Sequence, residues 1–229
     1  MRGVGDAVAH DLRTPLTRLR LRLERGREQA RDIEELREAV DQGLVWIDQT
    51  LEMVTAVLRI GEIEHGRRCA AFGPVDLGLV VSEAVEFFEP LAEEKGIGLE
   101  RALDGDVPPI EGDRSLVFEA VSNLLDNAIK FTPAGGRVTV GLARRDGAAV
   151  MSVEDTGPGI AAGERDRIFK RFYRVERARQ TPGNGLGLGL VAAIAKLHGF
   201  SLVVGDGRAG GCRFEMGCSV MEQRTHPAE

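Results

Sequence analysis

Apolar positions follow two regimes along the chain. From residue 4 to about 25, Leu12, Leu16, Leu19 and Leu23 alternate spacings of four and three. Ala9 continues that stripe backwards, which predicts an amphipathic helix. Gly26 and the charged residues to Asp32 predict a short loop. From Ile33 to about Ile63, Ile33, Val40, Ile47 and Val54 recur every seven residues, and Leu44, Leu51 and Leu58 do the same in the other core position. Such a seam belongs to a coiled coil or helical bundle. Two long helices joined by a short loop form an antiparallel hairpin. Alone it buries too little, so two copies are expected to pair into a four-helix bundle rather than form an arm folded on one chain.

Residues 68–74 are polar and punctuated by Gly and Pro, a linker between a hairpin (1–67) and a second domain (75–220), with a frayed tail at 221–229. In the second domain the pattern mixes periods. Leu77 to Lys95 predicts a helix stopped by Gly96, Ile97 to Leu103 a strand, and Gly105 to Pro109 a loop. A helix begins near Asp113, a natural cap, with Val117, Val121, Leu124, Leu125 and Ala128 on its apolar face. Alternation predicts strands over Arg137–Arg144 and Ala149–Asp155 around an Asp146-Gly147 hairpin turn. A charged stretch with Phe169, Phe172 and Tyr173 follows, then an apolar helix from Leu186 to His198. Phe200–Val204 and Cys212–Cys218 make a last hairpin. Strands and helices that do not strictly alternate imply an α/β sandwich, one mixed sheet under a layer of helices.

Composition narrows the classes. A net charge of −6 over 229 residues argues against non-specific nucleic-acid binding. Apolar residues at 43% and charged residues at 29% fit a soluble globular protein. The three cysteines lack metal-ligand spacing and are read as reduced thiols in a cytosolic setting. No apolar run approaches a membrane span, so a membrane receptor would contribute only its cytoplasmic end here.

Four stretches carry candidate chemistry. Asn123, Asn127 and Lys130 form a polar stripe along one flank of the Asp113 helix. It is either a solvated flank or a ligand face, since amide oxygens suit Mg²⁺ and an ammonium suits phosphate. Asp155-Thr156-Gly157-Pro158-Gly159 ends a strand. Asp155 shares the parity of Met151 and Val153, which points it to the covered face, where a carboxylate needs a donor such as the amine of adenine. The alternative is a strand-ending turn in which the Asp bonds backbone N–H groups. Gly183-Asn184-Gly185-Leu186-Gly187 opens the apolar helix as an anion site or a hinge. His10 and Asp11 lie off the apolar stripe of the first helix, with Pro15 nearby to bend it. Asp11 can hold one ring nitrogen and leave the other nucleophilic, although a lone surface histidine is usually inert.

Together and in this order, these stretches resemble the catalytic core of a sensor histidine kinase of a two-component system. His10-Asp11-x-x-Thr14-Pro15 resembles the phosphoacceptor box, and Asn123 to Phe131 the asparagine box. Asp155-x-Gly157-x-Gly159 and Gly183-x-Gly185-x-Gly187 resemble two glycine boxes, and Phe169 to Arg174 the phenylalanine box of a lid. The resemblance implies a dimerising phosphotransfer hairpin and an ATP-binding domain of the type shared with gyrase. It implies His10 as phosphoacceptor, Asp11 as general base and Thr14 as the residue holding water in a reverse, phosphatase reaction. It implies Asn127 as Mg²⁺ ligand and Asn123, Lys130 and Phe131 around the nucleotide. Asp155, Gly157 and Gly159 would hold adenine, and Arg174, Gly183, Gly185, Leu186 and Gly187 the phosphates. Asn123 stands where gyrase-like hydrolases carry a water-activating Glu, so hydrolysis should be slow. ATP and Mg²⁺ are the implied cofactors; a response-regulator receiver and a second copy are the implied partners. A gyrase-like ATPase, a serine kinase of the same fold, and a pseudokinase scaffold that docks a receiver are the competing readings.

Overall fold

The computed structural model describes residues 17, 20–21, 23–28, 30–64, 72–104, 107–175 and 185–220. The chain divides into two compact units, Met1–Glu62 and Ile63–Glu229.

In the first unit, helix α1 is described at residues 17, 20–21 and 23–28, and α2 spans Ile33–Glu64. Asp32 starts α2 by accepting from the N–H groups of Glu34 (3.0 Å) and Glu35 (2.9 Å). Helix α1 runs through Gly26 to residue 28, so the loop is shorter than the expected Gly26–Asp32. The reason is close packing. A Cβ on Gly26 would lie 2.8 Å from the Ala39 Cβ, and one on Gly43 would lie 2.4 Å from Leu23 Cδ2. The glycines let the two helices approach, and the pairing of 26 with 39 and 23 with 43 is antiparallel. On α2, Gly43, Thr50 and Val57 are buried at heptad spacing. Leu44, Leu51 and Leu58 of the expected seam remain 54–57% exposed, and Ile33 67%. The seam is therefore not the face that joins the two helices of one chain.

The second unit contains β1 (Gly73–Val75), α3 (Leu77–Glu94), β2 (Gly98–Leu103), β3 (Ile110–Gly112), α4 (Arg114–Phe131), β4 (Arg137–Arg145), β5 (Ala148–Asp155), α5 (Gly187–His198), β6 (Ser201–Asp206) and β7 (Cys212–Ser219). The main sheet has the order β2-β4-β5-β7-β6. Only β2 and β4 pair in parallel, so the sheet is mixed as expected. Gly73 and Pro74, expected in the linker, instead pair antiparallel with Gly112 and Glu111. Neither short strand is long enough to show an alternating pattern.

Asp146 (φ 50°) and Gly147 (φ 79°) make the β4–β5 turn with the two positive dihedrals that a tight hairpin requires. Val138, Val140 and Leu142 of β4, Met151 and Val153 of β5, and Phe214 and Met216 of β7 share one face and are buried. Leu116, Val117, Ala120, Val121, Leu124 and Leu125 of α4 complete this core. Each of these side chains larger than alanine contributes about 1.5–3 kcal/mol on burial. The opposite face carries an ion-pair network in which Arg213 meets Glu154 at 2.7 Å and Glu215 at 2.8 Å. Helix α4 lies between α3 and α5 and carries the polar stripe.

Asp113 caps α4 through bonds to the N–H groups of Ser115 (2.9 Å) and Leu116 (3.2 Å). Asp113→Ala should cost about 1 kcal/mol, the typical value of such a cap, seen as a lower melting midpoint by circular dichroism.

Candidate functional site

The polar flank of α4 is preorganised by its own backbone. Asn123 Nδ2 donates to Glu119 O and Asn127 Nδ2 to Asn123 O, each at 2.8 Å. Each amide nitrogen is thus tied one turn back along the helix, and the ligand-capable part left on each side chain is its oxygen, Oδ1. Both asparagines are only half-buried. A Cβ on Gly187 would lie 2.7 Å from Asn123 Oδ1, so a side chain there would displace the Asn123 amide where the start of α5 meets this flank. Helix α5 begins after Leu186 with no side chain capping it. Its first N–H groups and the positive end of its dipole therefore suit an anion beside the two amide oxygens.

The far end of α4 is closed by a residue that the sequence did not single out. Lys95 Nζ donates to Ile129 O (2.6 Å) and Lys130 O (2.7 Å), capping the carbonyl end of the helix. The partners are 34 and 35 residues apart, beyond any local signal. Lys95 also borders an open hollow of about 560 Å³, with Lys130 and Phe131 on one wall and Gly157 on another. Asn123, Asn127 and Asp155 are not among its walls.

Asp155 is 4% exposed and points to the covered face, as its parity predicts. Its Oδ1 accepts from the N–H groups of Gly157 (2.8 Å) and Cys212 (3.3 Å). The Cys212 thiol lies beside the carboxylate. Burial raises the Asp155 pKa, and the bonds from Gly157 and Cys212 work against that rise. Burial, reinforced by the neighbouring carboxylate, pushes the Cys212 thiol up to about 12, so it stays protonated. The turn reading of the Asp-x-Gly-x-Gly stretch is the one these bonds show. The carboxylate bonds a backbone N–H of its own turn, and its second oxygen is bonded by neither backbone N–H.

Gly211 and Cys212, which the sequence pattern marks only as part of a hairpin, close on this carboxylate. A Cβ on Gly211 (φ 71°) would lie 2.0 Å from Asp155 O and 2.6 Å from Oδ1. Gly159 (φ 70°) closes on Gly211 O from the other side, at 3.1 Å from its own missing Cβ. The adjacent Gly210-Gly211 pair was the available clue.

The described part of the aromatic stretch is anchored to the second glycine stretch. Phe172 adopts φ 61°, strained for a bulky residue, and its N–H donates to Gly185 O at 3.0 Å. A Cβ on Gly185 would lie 3.0 Å from Arg174 Cγ, which places Arg174 beside Gly185. Arg167 lies 4.5 Å from the centre of the Tyr173 ring, whose hydroxyl donates to Glu164. The structure therefore joins Asn123 and Asn127 with Gly187, Arg174 with Gly185, Asp155 with Gly157, and Lys130 and Phe131 with Gly157. His10, Asp11, Thr14 and Gly183 lie outside the described residues.

A mixed sheet under three helices, with an asparagine flank facing an uncapped glycine-rich helix start, defines a class of ATP-binding domain. Residues 112–220 match the family described as histidine kinase-, DNA gyrase B- and HSP90-like ATPase, and residues 5–66 match the His Kinase A (phospho-acceptor) domain. The sensor protein IrlS of Burkholderia pseudomallei is 32% identical over 84% of this chain and 41% of its own length. The mycobacterial sensor histidine kinase MprB has a solved structure that is 34% identical, with TM-score 0.54, covering 64% of this chain and 95% of that one. The histidine kinase ThkA, solved in complex with response regulator protein TrrA, shares the fold at 20% identity and TM-score 0.71, over 96% of this chain and 62% of that one. The chain belongs to the sensor histidine kinases and carries their catalytic core. It spans less than half the length of IrlS.

Gly211→Ala forces a side chain against Asp155 in a left-handed backbone. A strain of about 1–3 kcal/mol at such a position lowers folding stability by that amount, measurable as a lower melting midpoint by circular dichroism.

Proposed function

We propose that this chain transfers the γ-phosphoryl group of Mg-ATP to His10 and then to an aspartate of a response-regulator receiver. The observation that carries the proposal is the meeting of the Asn123–Asn127 flank with the open start of α5, on a chain that also matches the phospho-acceptor domain.

The donor set fits the implied cofactors. The amide oxygen of Asn127 is a hard ligand of the kind Mg²⁺ takes and Asn123 would face the phosphates; in each it is the amide nitrogen that bonds within the helix. Mg²⁺ bound there would neutralise charge on phosphate oxygens. Lys130, Arg174 and the N–H groups at Gly185 to Gly187 would hold the phosphates, with Gly183 extending that loop. Asp155 would accept from the amine of adenine, Gly157 and Gly159 would let the backbone approach the ring, and Phe131 would pack against the nucleotide. Phosphoryl transfer is chiefly positioning and charge neutralisation, which this arrangement supplies. The bond from the γ-phosphorus to ADP breaks, a bond to an imidazole nitrogen of His10 forms, and Asp11 takes the ring proton. Thr14 would hold water when the kinase works in reverse as a phosphatase. Asn123 is a poor base, so slow hydrolysis is expected.

Two features support the partners. The apolar seam of α2 is left uncovered in a single chain, which suits pairing with a second copy into a four-helix bundle. The fold likeness to ThkA, solved with response regulator protein TrrA, supports a receiver as the acceptor. No helix among the described residues is long and apolar enough to cross a membrane. We place the catalytic core in the cytoplasm, with any membrane attachment through a sensor region outside this chain.

Incubation with γ-labelled ATP and Mg²⁺ should label the chain with acid-labile phosphate. His10→Gln should abolish labelling while ADP binding persists. Labelling that survives this substitution, or that resists acid, would refute the assignment. Asp155→Asn should weaken ADP binding at least tenfold, about 1.4 kcal/mol, since the amide presents a weaker acceptor to the amine.

A further inference from the structure

His198 takes no part in the chemistry above, yet it is among the most constrained side chains of the second unit. It is the last residue of α5. Its Nε2 lies 2.9 Å from the backbone nitrogen of Asp113, the cap of α4. A backbone N–H can only donate, so Nε2 must present a lone pair and the ring proton must sit on Nδ1. Nδ1 lies 2.8 Å from Ile194 O and donates to it. Both ring nitrogens are thereby assigned, and the ring is neutral.

Apolar surfaces hold the ring in place. Phe72 stacks on it at 4.6 Å and Phe200 at 4.9 Å. A Cβ on Gly112 would lie 2.8 Å from His198 Cδ2, so β3 passes directly against the ring edge. One imidazole thus joins α5, the cap of α4, β3 and the residues that lead into β1 and β6.

Its position gives this contact a reach beyond the local packing. The C-terminal end of α5 meets the N-terminal end of α4 at His198 and Asp113, and the N-terminal end of α5 meets α4 again at Gly187 and Asn123. The separations match: 11 residues on one helix and 10 on the other, roughly 16 and 15 Å at 1.5 Å per residue. Two stiff antiparallel rods are therefore pinned at one end by His198 and brought into register at the other.

We propose that His198 is a positioning residue for the nucleotide site: as the Nδ1–H tautomer it sets the register of α5 against α4, and hence of the α5 N–H groups against the Asn123 and Asn127 oxygens. The proposal rests on the nucleotide role given to that face. Protonation of Nε2 would set a donor against the Asp113 N–H and break the pin. At the ends of the elements packed against the ring, the nearby charged residues are Asp113 and Arg114 at the start of α4, Glu111 of β3 and Lys196 of α5; Glu119, Asp126 and Lys130 lie further along α4. Burial holds the His198 pKa below its ordinary value, against the pull of the Asp113 carboxylate. The unfolded chain therefore binds the proton more readily, near the ordinary value of about 6.5. The stability that the neutral ring contributes is complete above that pH and is lost as pH falls from there towards the folded value.

The test uses the full chain, ¹⁵N-labelled. Long-range ¹H–¹⁵N spectra at pH 7 should show His198 as the neutral Nδ1–H tautomer; an imidazolium or an Nε2–H tautomer overturns the proposal. On acidification the Gly187 amide should shift along the His198 titration curve in the wild type and lose that transition in His198→Gln, whose side-chain oxygen can accept from Asp113 without titrating. A Gly187 amide blind to the titration also overturns it. These two readouts need no nucleotide, so they judge the register even if ADP fails to bind, which would instead sink the nucleotide reading. Calorimetric titration with ADP and Mg²⁺ then completes the test. His198→Leu should lose about tenfold in affinity at pH 7.5, and His198→Gln should stay within about threefold of the wild type. Lower melting temperature with unchanged affinity in His198→Leu would leave His198 a structural residue only. If that variant does not fold, His198→Gln decides: its affinity should hold on acidification to pH 5.5 where that of the wild type falls, and parallel falls overturn the proposal.

Discussion

The site depends on a helix whose two ends are held by residues from other parts of the chain. Helix α4 presents amide oxygens that have meaning only if α5 and the sheet meet it at fixed positions. At its start, the Asp113 carboxylate satisfies two N–H groups and the Asp113 N–H is taken by His198. At its end, Lys95 satisfies two carbonyls. A helix leaves four N–H and four C=O groups without internal partners, and these are the handles by which a fold can grip it. Here the grip falls on both ends, and the ligand-capable flank lies between them.

The second constraint is a carboxylate in an apolar layer. Asp155 is surrounded by Gly157, Gly211 and Cys212, all of which approach through backbone or a small side chain. A buried carboxylate costs several kcal/mol unless it is bonded. The backbone N–H of Gly157 and that of Cys212 offset part of this, and a ligand amine would offset more. This gives a physical reason for the proposed contact of Asp155 with a donor on a nucleotide base. It also explains why glycines gather here, since any Cβ on Gly211 or Gly157 would strike the carboxylate or its own strand.

The two units illustrate different routes to stability. The second closes its own core: β4, β5 and β7 bury one face under α3, α4 and α5. The hairpin does not. Its inner contacts rely on the small residues Gly26, Ala39 and Gly43, while the larger apolar residues at positions 33, 40, 44, 47, 51 and 58 remain exposed. Small residues inside and large ones outside suit a pair of helices that approach closely and keep their larger apolar surface for a second pair.

The sequence by itself determined the type and order of most elements. Periods of 3.6 and 2 arise from neighbours a few positions apart, and those neighbours are present in the linear pattern. The cap at Asp113, the Asp146-Gly147 turn, the covered parity of Asp155 and the single stripe of Asn123 and Asn127 were legible for that reason. The β1–β3 pairing was not, because three residues carry no measurable period. Nor could the sequence show that Lys95 ends α4, that Gly211 and Cys212 close on Asp155, or that His198 reaches the Asp113 N–H, 85 residues away. Such contacts are decided only when sheet order and helix packing bring distant segments together. The tertiary structure therefore settled which residues hold the site in place, while the local chemistry of the chain had already settled which residues could form its elements.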